Sequence, residues 1–235
     1  MFGAVSGHEA LLAAPEEMFM RRLLIIGSII AALLGATAFE LRPVRTSRET
    51  IGASVTQTAD AIERAWQLPV AKTFNHQLFA QSNLSLCGPA SLANVFRSLS
   101  EAAKTESEVL AGTGRCWTGF CLLGLTLDKL AEVARAHTNR KVTVLRDLTP
   151  DEFREHLRRS NDASRRYVIN FRRREIFGAG EGHFSPIAGY FENEDLVFVL
   201  DVNENFRPWL IERSRLFAAM NTLDGDKKRG LLLIE

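Results

Sequence analysis

Four residues in this chain have side chains and spacings suited to a single reaction. Cys87 lies in QSNLSLCGPASL, residues 81–92, directly before Gly88-Pro89 and an apolar pattern of helical period. A cysteine at a helix start faces unpaired backbone N–H groups and the positive end of the helix dipole, and both favour thiolate over thiol. Such a nucleophile needs a base, and His183 follows the glycine-rich stretch Gly178–Gly182 at the mouth of a predicted strand. An acid or amide must then fix the imidazole tautomer. Asp201 ends an apolar strand pattern eighteen residues after His183. Gln81, six residues before the cysteine, supplies a side-chain NH₂ that can join the Cys87 backbone N–H as an oxyanion hole. Taken singly, each has a plainer role: a small core hydrophobe, a surface histidine, a solvated strand end. Together they spell acyl transfer through a thioester.

The other histidines fit less well. His8 falls in the leader, and His137 and His156 belong to polar helical stretches where solvated side chains are expected.

The elements that must carry these residues follow from hydrophobic periodicity. Leu92, Val95, Phe96 and Leu99 recur at helical spacing after Cys87, with Pro89 in the first turn, where its missing N–H costs nothing. A second helix is predicted from Thr126 with Leu127, Leu130 and Val133 inward. A third starts at Thr149-Pro150-Asp151-Glu152, a capping box with proline first. Strands are expected at Tyr167–Phe171, His183–Phe191 and Leu196–Leu200, with a turn at Glu192–Asp195 and Leu231–Ile234 closing the sheet. N-terminal helices followed by antiparallel strands predict an α+β domain.

The N-terminus is of a different kind. Arg21-Arg22 precedes residues 23–38, which carry no charge and end in Ala36-Thr37-Ala38. That is the pattern of a secretory signal or an N-terminal membrane anchor, so residues 1–38 are set apart from the fold. Attachment to a membrane through residues 21–41, and an exported, periplasmic location, are the corresponding expectations. Residues 39–69 read as a polar linker and lead-in helix, and residues 70–235 as the catalytic domain.

Gln81…Cys87-Gly88-x-Ala90-Ser91-Leu92, Gly182-His183-Phe184-Ser185-Pro186-Ile187 and Leu200-Asp201-Val202 resemble the catalytic domain of the phytochelatin synthase family. Pro208-Trp209, Ala219-Met220 and Lys228-Arg229-Gly230 continue the resemblance, which spans about residues 70–235. It implies a papain-like cysteine-peptidase fold, N-terminal helices packed on a C-terminal antiparallel sheet. It carries the catalytic roles onto Cys87, His183, Asp201 and Gln81, and sets Asn170, Arg173, Arg229 and Gly182 against the γ-glutamyl group of glutathione. An arginine suits that acidic tripeptide through paired N–H donors. The remaining arginines around the Tyr167–Phe171 strand (Arg165, Arg166, Arg172 and Arg174) read as a solvated basic edge. Plant members carry a cysteine-rich extension, and this chain ends at Glu235, so it looks like the short bacterial type, in which hydrolysis of glutathione often prevails.

The 235 residues, 46% hydrophobic and 24% charged with a net charge of +1, describe a globular domain without electrostatic reason to bind nucleic acid. Three cysteines cannot form a disulfide framework. Cys116 and Cys121 lack metal-ligand spacing, and either a local disulfide or two buried thiols would account for them. No metal or cofactor site is expected on the chain; cadmium or zinc would enter as a metal–glutathione thiolate. A homodimer is left open. Two other functions stay in competition: a leader peptidase of the double-glycine type, and a non-catalytic thiol or metal-binding module.

Overall fold

A computed structural model describes residues 19–28, 46–116, 119–122 and 124–235. Its contacts separate two units, Met1–Val44 and Arg45–Glu235. In the first, residues 19–28 are helical and expose Phe19, Leu23, Leu24, Ile25 and Ile26. No helix among the described residues is long and apolar enough to cross a membrane. The rest of the charge-free run and its Ala36-Thr37-Ala38 end lie outside the described residues.

The second unit is built on a six-stranded antiparallel sheet. Its strands in chain order are β1 (Val142–Leu145), β2 (Arg166–Arg172), β3 (Gly182–Phe191), β4 (Leu196–Val199), β5 (Trp209–Glu212) and, after the short hairpin β6 (Leu223–Asp224) and β7 (Lys227–Lys228), β8 (Leu231–Ile234). The order across the sheet is β1-β8-β2-β3-β4-β5. The last strand therefore lies inside the sheet, between β1 and β2, whereas the sequence suggested that it closes an edge. Neither β1 nor β5 stood out in the sequence.

The strands alternate as a two-faced sheet requires. In β2, Val168 points to one core while Tyr167, Ile169 and Phe171 point to the other. The first core is filled by α3 (Cys87–Ser98), which is buried from Cys87 to Phe96 and packs on β3, together with α4 (Glu106–Leu110) and α5 (Leu127–Arg135). The second is closed by α6 (Pro150–Arg159), α7 (Arg173–Phe177) and α8 (Arg213–Met220). Each fully buried Leu, Ile or Phe in these layers contributes on the order of 2 kcal/mol. The helix expected from Thr126 forms with Thr126 as its cap, and the Thr149–Glu152 capping box forms as the sequence predicts.

Residues 46–69 hold the helix expected there, but as part of the folded unit and not after a linker. They form α1 (Arg48–Ser54) and α2 (Ala59–Ala65), bury Ile51, Val55, Ala65 and Trp66, and belong to the same unit as the sheet. Thr56 exchanges backbone hydrogen bonds with Leu210, so this segment covers the free edge of β5. Within β3 the register to β4 shifts between Ile187 and Tyr190. Gly189 sits in that bulge at φ 130°, where any side chain would strike Asn161 and Leu68.

Candidate active site

Cys87 begins α3, and the residue before it, Leu86, offers no side-chain cap to the first helical N–H groups. The thiol is buried and is the free cysteine among the described residues. Beside it stand the His183 imidazole and the Phe184 backbone N–H. Burial pushes the thiol up. The charge and hydrogen bond of His183, then the Phe184 N–H and the charge of Arg173, outweigh burial and hold it below its ordinary 9.0. His183 moves the other way: burial and Arg173 pull the imidazole down, but Asp201 and Cys87 raise it above its ordinary 6.5. Both shifts favour a thiolate–imidazolium pair.

His183 opens β3 opposite Phe171 of β2, whose ring it meets edge-on at 5.6 Å. Its Nε2 lies 3.0 Å from Oδ1 of Asp201, which leaves Nδ1 for the thiol. Asp201 is the better-held partner. Arg173 Nη2 donates to both of its oxygens at 2.8 and 2.9 Å, Trp209 Nε1 donates to Oδ2 at 3.1 Å, and the Asn203 backbone N–H donates to Oδ1 at 2.9 Å. Burial would raise this carboxyl, yet the charges of Arg173 and His183 and these donors keep it far below its ordinary 3.8. It stays ionised and fixes the ring.

Two arginines from the basic stretch have partners that the sequence did not show. Arg173, expected at the substrate, gives its Nη2 to Asp201 and lays its guanidinium 3.6 Å from the centre of the Phe206 ring. Arg166, expected in solvent, is 2% exposed and donates to Ser98, Thr73 and the Ala163 and Arg165 carbonyls. Burial brings its pKa down to about 10. His156 is likewise not fully solvated: its Nδ1 lies 3.2 Å from the Tyr167 hydroxyl.

Asn170, Arg229 and Gly182 do converge. Arg229 Nη1 donates to Asn170 Oδ1 at 2.8 Å, Asn170 Nδ2 donates to Asp224 at 3.2 Å, and Arg229 Nη2 lies 3.4 Å from Asp224. A Cβ on Gly182 would collide with the Arg229 guanidinium, so only glycine lets it lie against the strand next to His183. Burial, the largest influence, lowers the Arg229 pKa, while the nearby charges of Asp224 and Cys87 act to raise it. A cation thus flanks the nucleophile. Asp224 and Trp209 were not singled out as site residues; Trp209 stood only among the residues that carried the resemblance.

Gln81 is tied to the segment after Asp201, its N–H donating to the Val202 carbonyl at 2.9 Å. Its Nε2 donates to the Asn83 carbonyl at 3.0 Å, which occupies one of its two N–H bonds. Between the segment leading to Gln81 and the segment after Asp201 lies a cavity of about 420 Å³, lined by Arg48, His76, Ala80, Asp201 and Arg207. Cys116 and Cys121 form a disulfide, the first of the two alternatives. Among the described residues no three His, Cys, Asp or Glu side chains gather as a metal site would.

A cysteine at a buried helix N-terminus, facing a histidine and an acid on an antiparallel sheet, defines a papain-like cysteine-nucleophile fold. A putative C39-like peptidase from Bacillus anthracis shares this fold, with a TM-score of 0.51 at 13% identity, covering 68% of this chain and 94% of that one. The phytochelatin synthase family model matches residues 42–231. The chain belongs to the phytochelatin synthase family. Similar curated proteins include glutathione gamma-glutamylcysteinyltransferase 3 of Lotus japonicus, 29% identical over 178 residues, or 66% of this chain and 35% of that protein. The glutathione gamma-glutamylcysteinyltransferase of Schizosaccharomyces pombe is 24% identical over 175 residues, 68% of this chain and 42% of the other. The chain therefore matches well under half the length of these relatives.

Proposed function

We propose that this chain cleaves the Cys–Gly bond of glutathione and passes γ-Glu-Cys to water or to a second glutathione. The observation that carries this is the Cys87–His183–Asp201 array standing beside the Asn170–Arg229 pair. The names of the related proteins support the substrate.

The Cys87 thiolate attacks the carbonyl carbon of the cysteinyl residue. The oxyanion that forms takes hydrogen bonds from the Cys87 backbone N–H and the Gln81 side chain. As the C–N bond breaks, glycine nitrogen takes the proton from His183, and γ-Glu-Cys remains as a thioester on Cys87. Neutral His183 then takes a proton from the attacking water or amine, and the thiolate leaves. Asn170 and Arg229 hold the γ-glutamyl end, Arg229 by pairing with its carboxylate. Asp201 keeps the imidazole oriented throughout. Cadmium and zinc act as glutathione thiolate complexes, that is, as substrate.

The test is glycine release from glutathione by the purified chain, with and without cadmium, beside a double-glycine leader peptide. Cys87→Ser should abolish release and keep the fold. Turnover of the leader peptide alone would move the assignment to the peptidase. Release that survives Cys87→Ser would end the thioester account.

We also propose that the enzyme works outside the reducing cytosol, exported or held at a membrane by its N-terminal segment. The charge-free run and the Cys116–Cys121 disulfide support this. Recovery of the intact chain only from the cytosolic fraction of its own cell would refute it.

A further inference from the structure

The turn between Gln81 and Cys87 is tied to the disulfide loop by a chain of hydrogen bonds. The Asn83 carbonyl accepts both the Gln81 Nε2, at 3.0 Å, and the Leu86 N–H, at 3.2 Å. One oxygen thus links the Gln81 amide to the residue that caps the nucleophile helix. Gln81 Oε1 is buried without a partner, so this contact alone decides which way the amide faces. An amide turned by half a rotation would set oxygen against oxygen.

Asn83 is itself held from outside. Its Oδ1 accepts the Ser85 N–H at 3.0 Å and the Ser85 hydroxyl at 2.7 Å, and its Nδ2 donates to the Gly119 carbonyl at 3.1 Å. Buried Ser85 in turn accepts the Cys121 N–H at 3.0 Å. Gly119 and Cys121 belong to the loop closed by Cys116–Cys121, so a covalent ring grips the turn at two points.

We propose that Asn83 is a positioning residue that aims the Gln81 amide at the oxyanion, with the disulfide-closed loop as its outer anchor. The proposal rests on the thioester function above and names the residues that regulate the geometry of that same site. It fits the chemistry of an oxyanion donor, which must be aimed before charge develops and loses most of its effect when displaced by about 1 Å. The competing anchor is Glu106, whose carboxylate takes the N–H and hydroxyl of Ser82 at 2.9 and 2.6 Å.

Kinetics on the full chain separate these anchors. Asn83→Ala should lower kcat for glycine release by roughly tenfold or more and leave KM within about twofold. Asn83→Asp, which keeps the acceptor for Ser85, should recover part of the loss. The rate at which iodoacetamide alkylates Cys87 needs no oxyanion hole and should not change. Asn83→Ala combined with Gln81→Ala should be no slower than Gln81→Ala alone, since both act through one amide. Cys116→Ala with Cys121→Ala should lower kcat in the same sense. The Gln81 side-chain protons, followed by heteronuclear NMR, give a readout independent of turnover. One should be protected from exchange in the unaltered chain and less protected in Asn83→Ala, where the main-chain carbonyl that accepts it remains but is no longer held by the side chain. Unchanged kcat in Asn83→Ala, additive losses, or equal protection in both proteins would each overturn the proposal and leave Glu106 as the anchor. Absence of glycine release by the unaltered chain would instead strike the glutathione assignment, with the NMR comparison still deciding the role of Asn83.

Discussion

Arg173 donates one nitrogen to both carboxylate oxygens of Asp201, at 2.8 and 2.9 Å, while Asp201 orients His183 at 3.0 Å. The order of charges is therefore guanidinium, carboxylate, imidazole, thiol, all of them buried. A carboxylate in such a place would protonate on its own, because burial penalises its charge. Arg173 is the largest of the influences that keep Asp201 ionised, ahead of His183 and the Asn203 N–H, and it favours the Cys87 thiolate as well.

Arg173→Gln separates this role from contact with glutathione. A residue that acts through Asp201 alters the transition state, so kcat should fall with KM nearly constant. Removing one partner of a buried ion pair should also lower stability by about 3 kcal/mol, readable as a lower melting temperature. A variant with unchanged kcat and a KM raised tenfold would return Arg173 to the substrate.

The pH dependence follows from opposed shifts at Cys87 and His183. The thiol is lowered, so thiolate persists below the ordinary 9.0 and is lost only as pH falls through the folded value. The imidazole is raised, so its proton persists above the ordinary 6.5 and is lost as pH rises through the folded value. A bell-shaped kcat/KM profile is expected, its plateau bounded by the lowered thiol on the acid side and the raised imidazole on the alkaline side. Asp201→Asn should narrow that plateau from the alkaline side, since His183 loses the charge that raises it. For stability, Asp201 is depressed, so its contribution is present above 3.8 and is lost as pH falls below that value toward its folded pKa. A plateau unchanged by Asp201→Asn would contradict this coupling.

Much of this site could be read from the sequence because its parts are local signals. The helix after Cys87 shows its period, the box at Thr149–Glu152 shows its cap, and the apolar stretches that carry His183 and lead to Asp201 read as strands. The arginine contacts were not legible, for a physical reason. Arg166 reads as solvated because its partner Thr73 lies 93 residues away, and the pairing of Arg173 with Asp201, 28 residues on, shows in no local pattern. Of helices α1 and α2 the sequence showed one lead-in helix, because they bury single residues such as Ile51 and Ala65 under a polar exterior. Strand β5 has three apolar residues before Glu212, a shorter run than the five of Leu196–Leu200 that made β4 visible.

Asn170 and Arg229 should respond in the opposite way to Arg173. They are joined to each other and to Asp224, and neither bonds His183 or Asp201. Arg229→Lys keeps the charge but loses the paired donors, so KM for glutathione should rise by about tenfold while iodoacetamide alkylation of Cys87 stays near the unaltered rate. Asn170→Ala frees Arg229 and should act in the same direction. Loss of kcat alone in both variants would place them with the orienting residues.

Metal should act through the substrate. Cys116 and Cys121 spend their sulfurs on each other, and Cys87 is buried against His183, so no thiol is left to build a soft-metal site from the described residues. Cadmium would then enter as a glutathione thiolate complex, in which the substrate thiol is capped. S-methylglutathione, capped by a neutral thioether, should therefore react without added metal. Calorimetric titration of the chain with cadmium should show weak binding without defined stoichiometry. Over a glutathione series, γ-Glu-Cys should exceed the transfer product at low concentration, because water is always present and the acceptor amine must be bound. A tight one-to-one cadmium site on the protein, needed for turnover of S-methylglutathione, would overturn this account.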